Sequence, residues 1–164
     1  MRIEDISGKD LMVERLHSTS VEEAFGELLQ TIGSQRNLDV SLISACLTAV
    51  MDRHRKVPCG LARGLAFPNA RLREISRPFL AVGMSDRGIE LGGRDGSLSQ
   101  ILLLYLGRAP IRADERELLG RLSLALTDPA FAARLRSSEH AEDLWEQLRS
   151  IDREVATAVR GGGT

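Results

Sequence analysis

Apolar positions along the chain fall first into helical periods, then into short runs, then into helical periods again. Val21, Ala24, Phe25, Leu28, Leu29 and Ile32 recur at three- and four-residue steps, so they share one helical face, and Ser18 to Ser20 ahead of them supply caps. Leu42, Ile43, Cys46, Leu47 and Val50 repeat the pattern in a second helix, capped by Asp39 and running to about Arg55, with Pro58 and Gly60 ending it. The texture then changes. LAF at 65 to 67, PFLAVGM at 78 to 84 and SQILLLYL at 99 to 106, broken by Gly and Pro, predict strands. RGIELGGRDGS between the last two predicts a hairpin region, with Gly92, Gly93 and Gly96 supplying positive φ angles.

Helical spacing returns after the last strand. Asp114 with Glu117 predicts a capping box ahead of Leu118, Leu119, Leu122 and Ala125. Asp128-Pro129 predicts a cap followed by proline in the first turn, and Ala141, Leu144, Trp145 and Leu148 predict a final amphipathic helix that Trp145 packs against the body. No internal repeat or linker is visible, so residues 1–155 are expected to form a single domain and 156–164, ending in RGGGT, a disordered tail. Helices before, around and after a small sheet imply an α/β (α+β) sandwich.

Composition narrows the classes. The 164 residues, 43% apolar, can bury a substantial core without disulfide or metal. A net charge of -1 gives no global pull toward nucleic acid, and no apolar run approaches the roughly 20 residues of a membrane span. MRIEDISGKD places acids where a signal peptide would have an apolar core, and Cys46 and Cys59 are thirteen apart without zinc-site pairing, so a reduced, cytoplasmic protein is expected. His17 and His140 have no partners at ligand spacing, and neither a metal nor a cofactor is expected.

Charge is uneven along the chain. From Arg53 to Arg73 the bases Arg53, Arg55, Lys56, Arg63, Arg71 and Arg73 occur with no Asp or Glu. These are either solvated surface charges paired with acids elsewhere, or an anion site and docking face for an acidic partner. A single aromatic, Phe67, lies among them and the whole chain is slightly acidic, which argues against nucleic acid. LGGRDG is not followed by a helix start with Lys, so a hairpin explains its glycines better than a phosphate loop does. Cys59 lies near the arginines, but nothing else marks it as an oxidisable thiol. His54 follows Arg53 by one position, about 100° around the helix, and is expected to face away from that arginine's site as an ordinary surface histidine.

The order of these pieces resembles the fructose/mannitol/nitrogen-regulatory type of EIIA domain of the bacterial sugar phosphotransferase system, over nearly the whole chain. In that family two amphipathic helices lead to an arginine, and sixteen positions later an Ala-Ile-Pro-His-Ala segment carries the phosphorylated histidine. Here Arg53 stands sixteen positions before Asn69, Gly60 and Gly64 match family glycines, and AFPNAR replaces the signature. IELGGRDGSLSQILLLYL resembles the family hairpin and central strand, and LLGRLSLALTDPAFAARL its helix, Asp-Pro turn and next helix. The resemblance implies a mixed, roughly five-stranded sheet flanked by helices.

It also implies a departure. Family members accept a phosphoryl group from the histidine phosphocarrier protein on an imidazole nitrogen, which has an in-plane lone pair. The Asn69 amide nitrogen has none to give, because its lone pair is delocalised into the carbonyl. A second, assisting family histidine falls at about Glu115, so both histidines are replaced. The expectation is a degenerate EIIA-like protein that binds rather than transfers, with Asn69, Arg53, Arg63 and Arg71 at an anion or partner site. Expected partners are proteins such as the histidine phosphocarrier, a sugar or ion transporter, or a kinase, or a small anion. Nucleic acid and membrane insertion are not expected. The alternative is a working phosphocarrier with another acceptor, such as His54 or Glu115.

Overall fold

Ser20 starts the first helix, its hydroxyl accepting the backbone N–H of Glu23 at 3.4 Å, while Glu23 in turn accepts the Ser18 hydroxyl at 2.6 Å. This fixes the entry to α1 (Val21–Arg36), which buries Ala24, Phe25, Leu28, Leu29 and Ile32, the face predicted by their spacing. Asp39 caps α2 (Val40–Lys56) by accepting the Ser41 N–H. Cys46 and Val50 are buried on α2, whereas Leu42, Ile43 and Leu47 are half-buried against the core. The computed structural model describes the backbone of residues 1–161 and the side chains of residues 1–153. The expected tail at 156–164 lies outside the described side chains and, from 162, outside the described backbone.

Two long strands carry the core. β4 (Phe79–Ile89) and β5 (Ser99–Arg108) pair antiparallel, with Leu80 opposite Tyr105 and Val82 opposite Leu103. Residues 79–85 and 101–107 are continuously buried, as central strands covered on both faces must be. β1 (Met12–Val13) adds to β4 in parallel. On the far side, β2 (Leu65–Ala66) and β3 (Asn69–Leu72) both run parallel to β5, one after the other, with Leu65 beside Ile101 and Asn69 beside Tyr105. The result is a five-stranded mixed sheet. α1 packs on β4, α2 on β3, and, beyond the hairpin, α4 (Pro129–Arg136) on β5 and α5 (Ala141–Gly161) on β1.

β2 and β3 are a single strand line interrupted at Phe67-Pro68. Phe67 directs its N–H to the Cys59 carbonyl, 2.9 Å, rather than to β5, and Pro68 has no N–H to give. The Pro68 carbonyl accepts from Tyr105 at 3.0 Å, and pairing resumes at Asn69. This break exposes part of Asn69 at the start of β3.

Two local expectations are corrected. α3 (Ala113–Thr127) begins at Ala113 with Arg112 as its uncapped N-cap residue, so the Asp114/Glu117 capping box does not form. Asp114 already lies within the first turn, and its carboxylate accepts the neighbouring Glu115 N–H at 2.9 Å instead. In the hairpin, Gly92 and Gly96 have positive φ as expected, but Gly93 does not. Gly93 is needed for space, since a Cβ there would sit 2.4 Å from the Ser97 carbonyl oxygen. The Asp128 cap and Pro129 are found as predicted, and Leu144 and Leu148 are buried with Trp145 packed beside them.

Candidate functional site

After α2 ends at Lys56, the chain turns back through Val57, Pro58 and Cys59 and meets the β4–β5 hairpin. Gly60 donates to the Leu91 carbonyl at 2.8 Å. A Cβ on Gly60 would come within 2.6 Å of both that oxygen and the Gly93 nitrogen, so the two loops touch backbone to backbone. The contact fixes the hairpin over the start of β3 and brings Arg94 to the place where α2, β3 and α3 meet.

A cleft with two connected lobes occupies this junction. Arg53, Leu61, Phe67, Asn69 and Arg94 line both lobes. The inner lobe, about 180 Å³, adds His54, Cys59 and Pro68, with Val50, Val57 and Pro58. The outer lobe, about 340 Å³, adds Arg71 and the α3 residues Leu119, Leu122, Ser123, Leu126 and Thr127. Neither lobe is lined by an Asp or a Glu among the described residues. Among the described residues, the exposed guanidinium groups of Arg53, Arg71 and Arg94 make no ion pair or hydrogen bond within the chain.

The nearby acids are engaged elsewhere. Asp52 pairs with Arg55 at 2.8 Å, and Asp95 accepts the Arg63 N–H at 2.9 Å and the Ser97 hydroxyl at 2.6 Å. These bonds, that from the Arg63 backbone foremost, hold the Asp95 carboxyl well below the usual carboxylate range. Glu90 accepts the Gly92 N–H.

Asn69 sits between the lobes, half-buried, and its amide Nδ2 donates to the Phe67 carbonyl at 2.9 Å. That bond bridges the strand break. The Phe67 ring stacks on Tyr105, the register partner of Asn69, with centroids 6.2 Å apart. Burial, reinforced by Glu115, pushes the Tyr105 phenol up to about 12, so it stays protonated at neutral pH.

The predicted site residues separate. Arg53, Asn69 and Arg71 come together, whereas Arg63 does not join them. Arg63 occupies a turn before β2 at φ 61°, its N–H held by Asp95 and its carbonyl by Arg136 at 3.0 Å, and its role there is in the backbone. Glu115 is fully buried under Tyr105, bonded to the Arg108 guanidinium and 3.5 Å from the phenol, and lines neither lobe. Arg94 joins Arg53, Asn69 and Arg71 from the β4–β5 hairpin, which the sequence marks only by its turn-forming glycines.

His54 corrects an expectation. It is half-buried and lines the inner lobe beside Arg53 and Asn69, its ring edge-on to Phe25 with centroids 5.8 Å apart. The cavity lies against the end of α2, so neighbouring positions reach it from different sides. His54 Nδ1 accepts the Cys59 N–H at 3.2 Å, which places the ring proton of the neutral form on Nε2. Burial foremost, and then Arg55, depresses its pKa. Burial also pushes the Cys59 thiol up to about 12, which disfavours the thiolate form.

Comparison with known proteins agrees with this architecture. The family model described as "Phosphoenolpyruvate-dependent sugar phosphotransferase system, EIIA 2" matches residues 6–151. The chain is 24% identical over 107 residues to the PTS system fructose-specific EIIA component of Haloferax volcanii, covering 65% of this chain and 70% of that one. It is 24% identical over 148 residues to a nitrogen regulatory protein of Bradyrhizobium diazoefficiens, covering 90% and 95%. Among solved structures, nitrogen regulatory protein IIA-Ntr from Neisseria meningitidis superposes with a TM-score of 0.77 at 18% identity, covering 89% of this chain and 98% of that one. With the family model matched over most of its length and the same mixed sheet, this chain belongs to the EIIA 2 family of the phosphoenolpyruvate-dependent sugar phosphotransferase system.

Proposed function

We propose that this EIIA domain is a regulatory binding module that does not take up a phosphoryl group, and that it docks partners through the face around Asn69. The observation that carries the reading is the chemistry of the cleft: a carboxamide stands between three arginines where the family resemblance puts the acceptor imidazole. An amide can donate and accept hydrogen bonds, but its nitrogen lone pair is delocalised into the carbonyl and offers no imidazole-like nucleophile for attack on phosphorus. In a phosphorylatable member, the added charge of nearly two units would change which partners can approach. Asn69 removes that switch and leaves the unmodified surface permanently on display. Partners of the expected kinds, the histidine phosphocarrier, a transporter or a kinase, would then meet a constitutive docking face.

A second reading keeps the transfer function and moves the acceptor to His54, because that ring lines the same lobe as Asn69. Against it, the Nδ1 lone pair is taken up by the Cys59 N–H and Nε2 carries the proton, so attack from Nδ1 must break that bond and attack from Nε2 must first exchange tautomers. Glu115 is a still poorer acceptor, buried and ion-paired. The two readings separate in a discharge experiment: the phosphorylated histidine phosphocarrier is mixed with this protein and its phosphohistidine followed by phosphorus NMR. Persistence of the donor signal at its unassisted rate of decay supports the binding module. Accelerated loss, abolished by His54→Gln, supports the second reading.

A further inference from the structure

We propose that β3 is an open sheet edge on which an extended, acidic segment of a partner protein adds as a further strand. This rests on the reading that partners dock around Asn69, and it names the backbone bonds that hold the partner and the conformation the partner must adopt.

The strand line from β2 to β3 turns the backbone of every second residue away from β5. Tyr105 donates to the Pro68 carbonyl at 3.0 Å and Ala109 to the Leu72 carbonyl at 3.2 Å. With Asn69 beside Tyr105 and Arg71 beside Gly107 in parallel register, Pro68, Ala70 and Leu72 face β5, and the N–H and C=O groups of Asn69 and Arg71 face outward. The same parity puts Leu65 and Phe67 outward, since Ile101 donates to the Gly64 carbonyl at 3.0 Å. Those two residues are covered. Leu65 donates to the Ala62 carbonyl at 3.4 Å and accepts from Leu61 at 2.8 Å, while Phe67 donates to the Cys59 carbonyl and accepts from Asn69 Nδ2, both at 2.9 Å. The cover ends there. Among the described residues, the outward backbone groups of Asn69 and Arg71 have no partner within the chain. The opposite edge of the sheet, β1, is two residues long and packed by α5. Unpaired N–H and C=O groups in a row along an edge are a template for another strand.

Space for that strand exists, because Asn69 lines both lobes of the cleft and Arg71 the outer one. An antiparallel segment laid there exchanges two backbone bonds with Asn69 and two with Arg71. Its alternate side chains meet Val50 and Val57 in the inner lobe and Leu119 and Leu122 in the outer. Charge selects the occupant. Arg53, Arg71 and Arg94 line the cleft with no carboxylate among the described residues, so acidic side chains on the incoming strand are attracted and basic ones repelled. A second copy of this chain fits poorly, since pairing β3 with β3 sets two positively charged edges together. Arg71 thus disfavours pairing between copies and favours an acidic strand.

The experiment is amide NMR with hydrogen exchange on the full, isotope-labelled chain, titrated at constant ionic strength with a blocked peptide of alternating glutamate and valine, about eight residues long. Saturable binding is expected, with exchange of the Asn69 and Arg71 N–H groups slowed at least about tenfold in the complex. The same peptide with a fully N-methylated backbone, which has no donors to give, should bind at least about tenfold more weakly. A lysine-valine peptide of the same pattern should weaken to a similar degree. Absence of saturable binding overturns the proposal, as does binding that leaves exchange at Asn69 and Arg71 unchanged or that survives N-methylation. Equal binding of the lysine peptide overturns the acidic occupant. Protection of the two amides that grows with protein concentration alone gives the edge to a second copy and overturns the partner strand. None of these failures touches the non-transferring reading, which stands or falls with discharge of the phosphorylated donor.

Discussion

The amide of Asn69 bridges two residues back to the carbonyl of Phe67, 2.9 Å away, across the point where the edge strand line is broken by Pro68. The residue is therefore part of the loop's own bonding as well as of the cleft. Asn69→Ala should cost about 1 kcal/mol, the net worth of one neutral hydrogen bond, in urea unfolding. A loss of several kcal/mol would mean that the strand break depends on Asn69 far more than this one bond implies.

Beneath the cleft, Glu115 bonds to Arg108 and approaches the Tyr105 phenol. Removing one member of such a buried pair leaves a charge uncompensated, so Glu115→Gln should lower stability by about 3 kcal/mol. Equilibrium denaturation reads this directly. An unchanged midpoint would show that the pair is neutral to stability.

Gly60 makes the closest backbone approach to the hairpin. Gly60→Ala must push Leu91 and Gly93 away, at a cost of about 1–3 kcal/mol. Urea unfolding reads this loss, and an unchanged midpoint would show that the two loops part at no cost.

His54 makes stability pH-dependent in a defined direction. Burial and Arg55 hold its folded pKa below the ordinary value of 6.5, so the unfolded chain binds a proton there that the folded protein does not. Stability is then fully present above about 6.5 and falls as pH drops below it. The carboxyls of Asp10, Asp95 and Asp143 are also depressed, but they act in the more acidic range below their ordinary 3.8. His54→Gln should flatten the slope just below pH 6.5 and leave the acid limb in place; an unaltered slope would contradict the assignment.

Much of the fold was legible because burial follows spacing in the elements that face the core. All five apolar positions of α1 picked out after Val21 are buried, and the LAVGM and ILLLYL runs are the central strands. β3 was not legible, since NARL has no apolar alternation and its strand character comes from pairing with β5 across a proline break. The site was legible through Arg53, Asn69 and Arg71. Arg94 was hidden because a hairpin contact, not sequence proximity, brings it there. His54 was misplaced because angular separation on a helix says little about a cavity that lies against the helix end.

The central claim is that Asn69 makes this EIIA domain unable to take up a phosphoryl group. Intact mass after incubation with phosphoenolpyruvate, enzyme I and the histidine phosphocarrier tests it, with wild type and Asn69→His side by side. The account predicts that the wild type keeps its mass while the variant gains one phosphoryl group at residue 69. A wild-type chain that gains a phosphoryl group would contradict it.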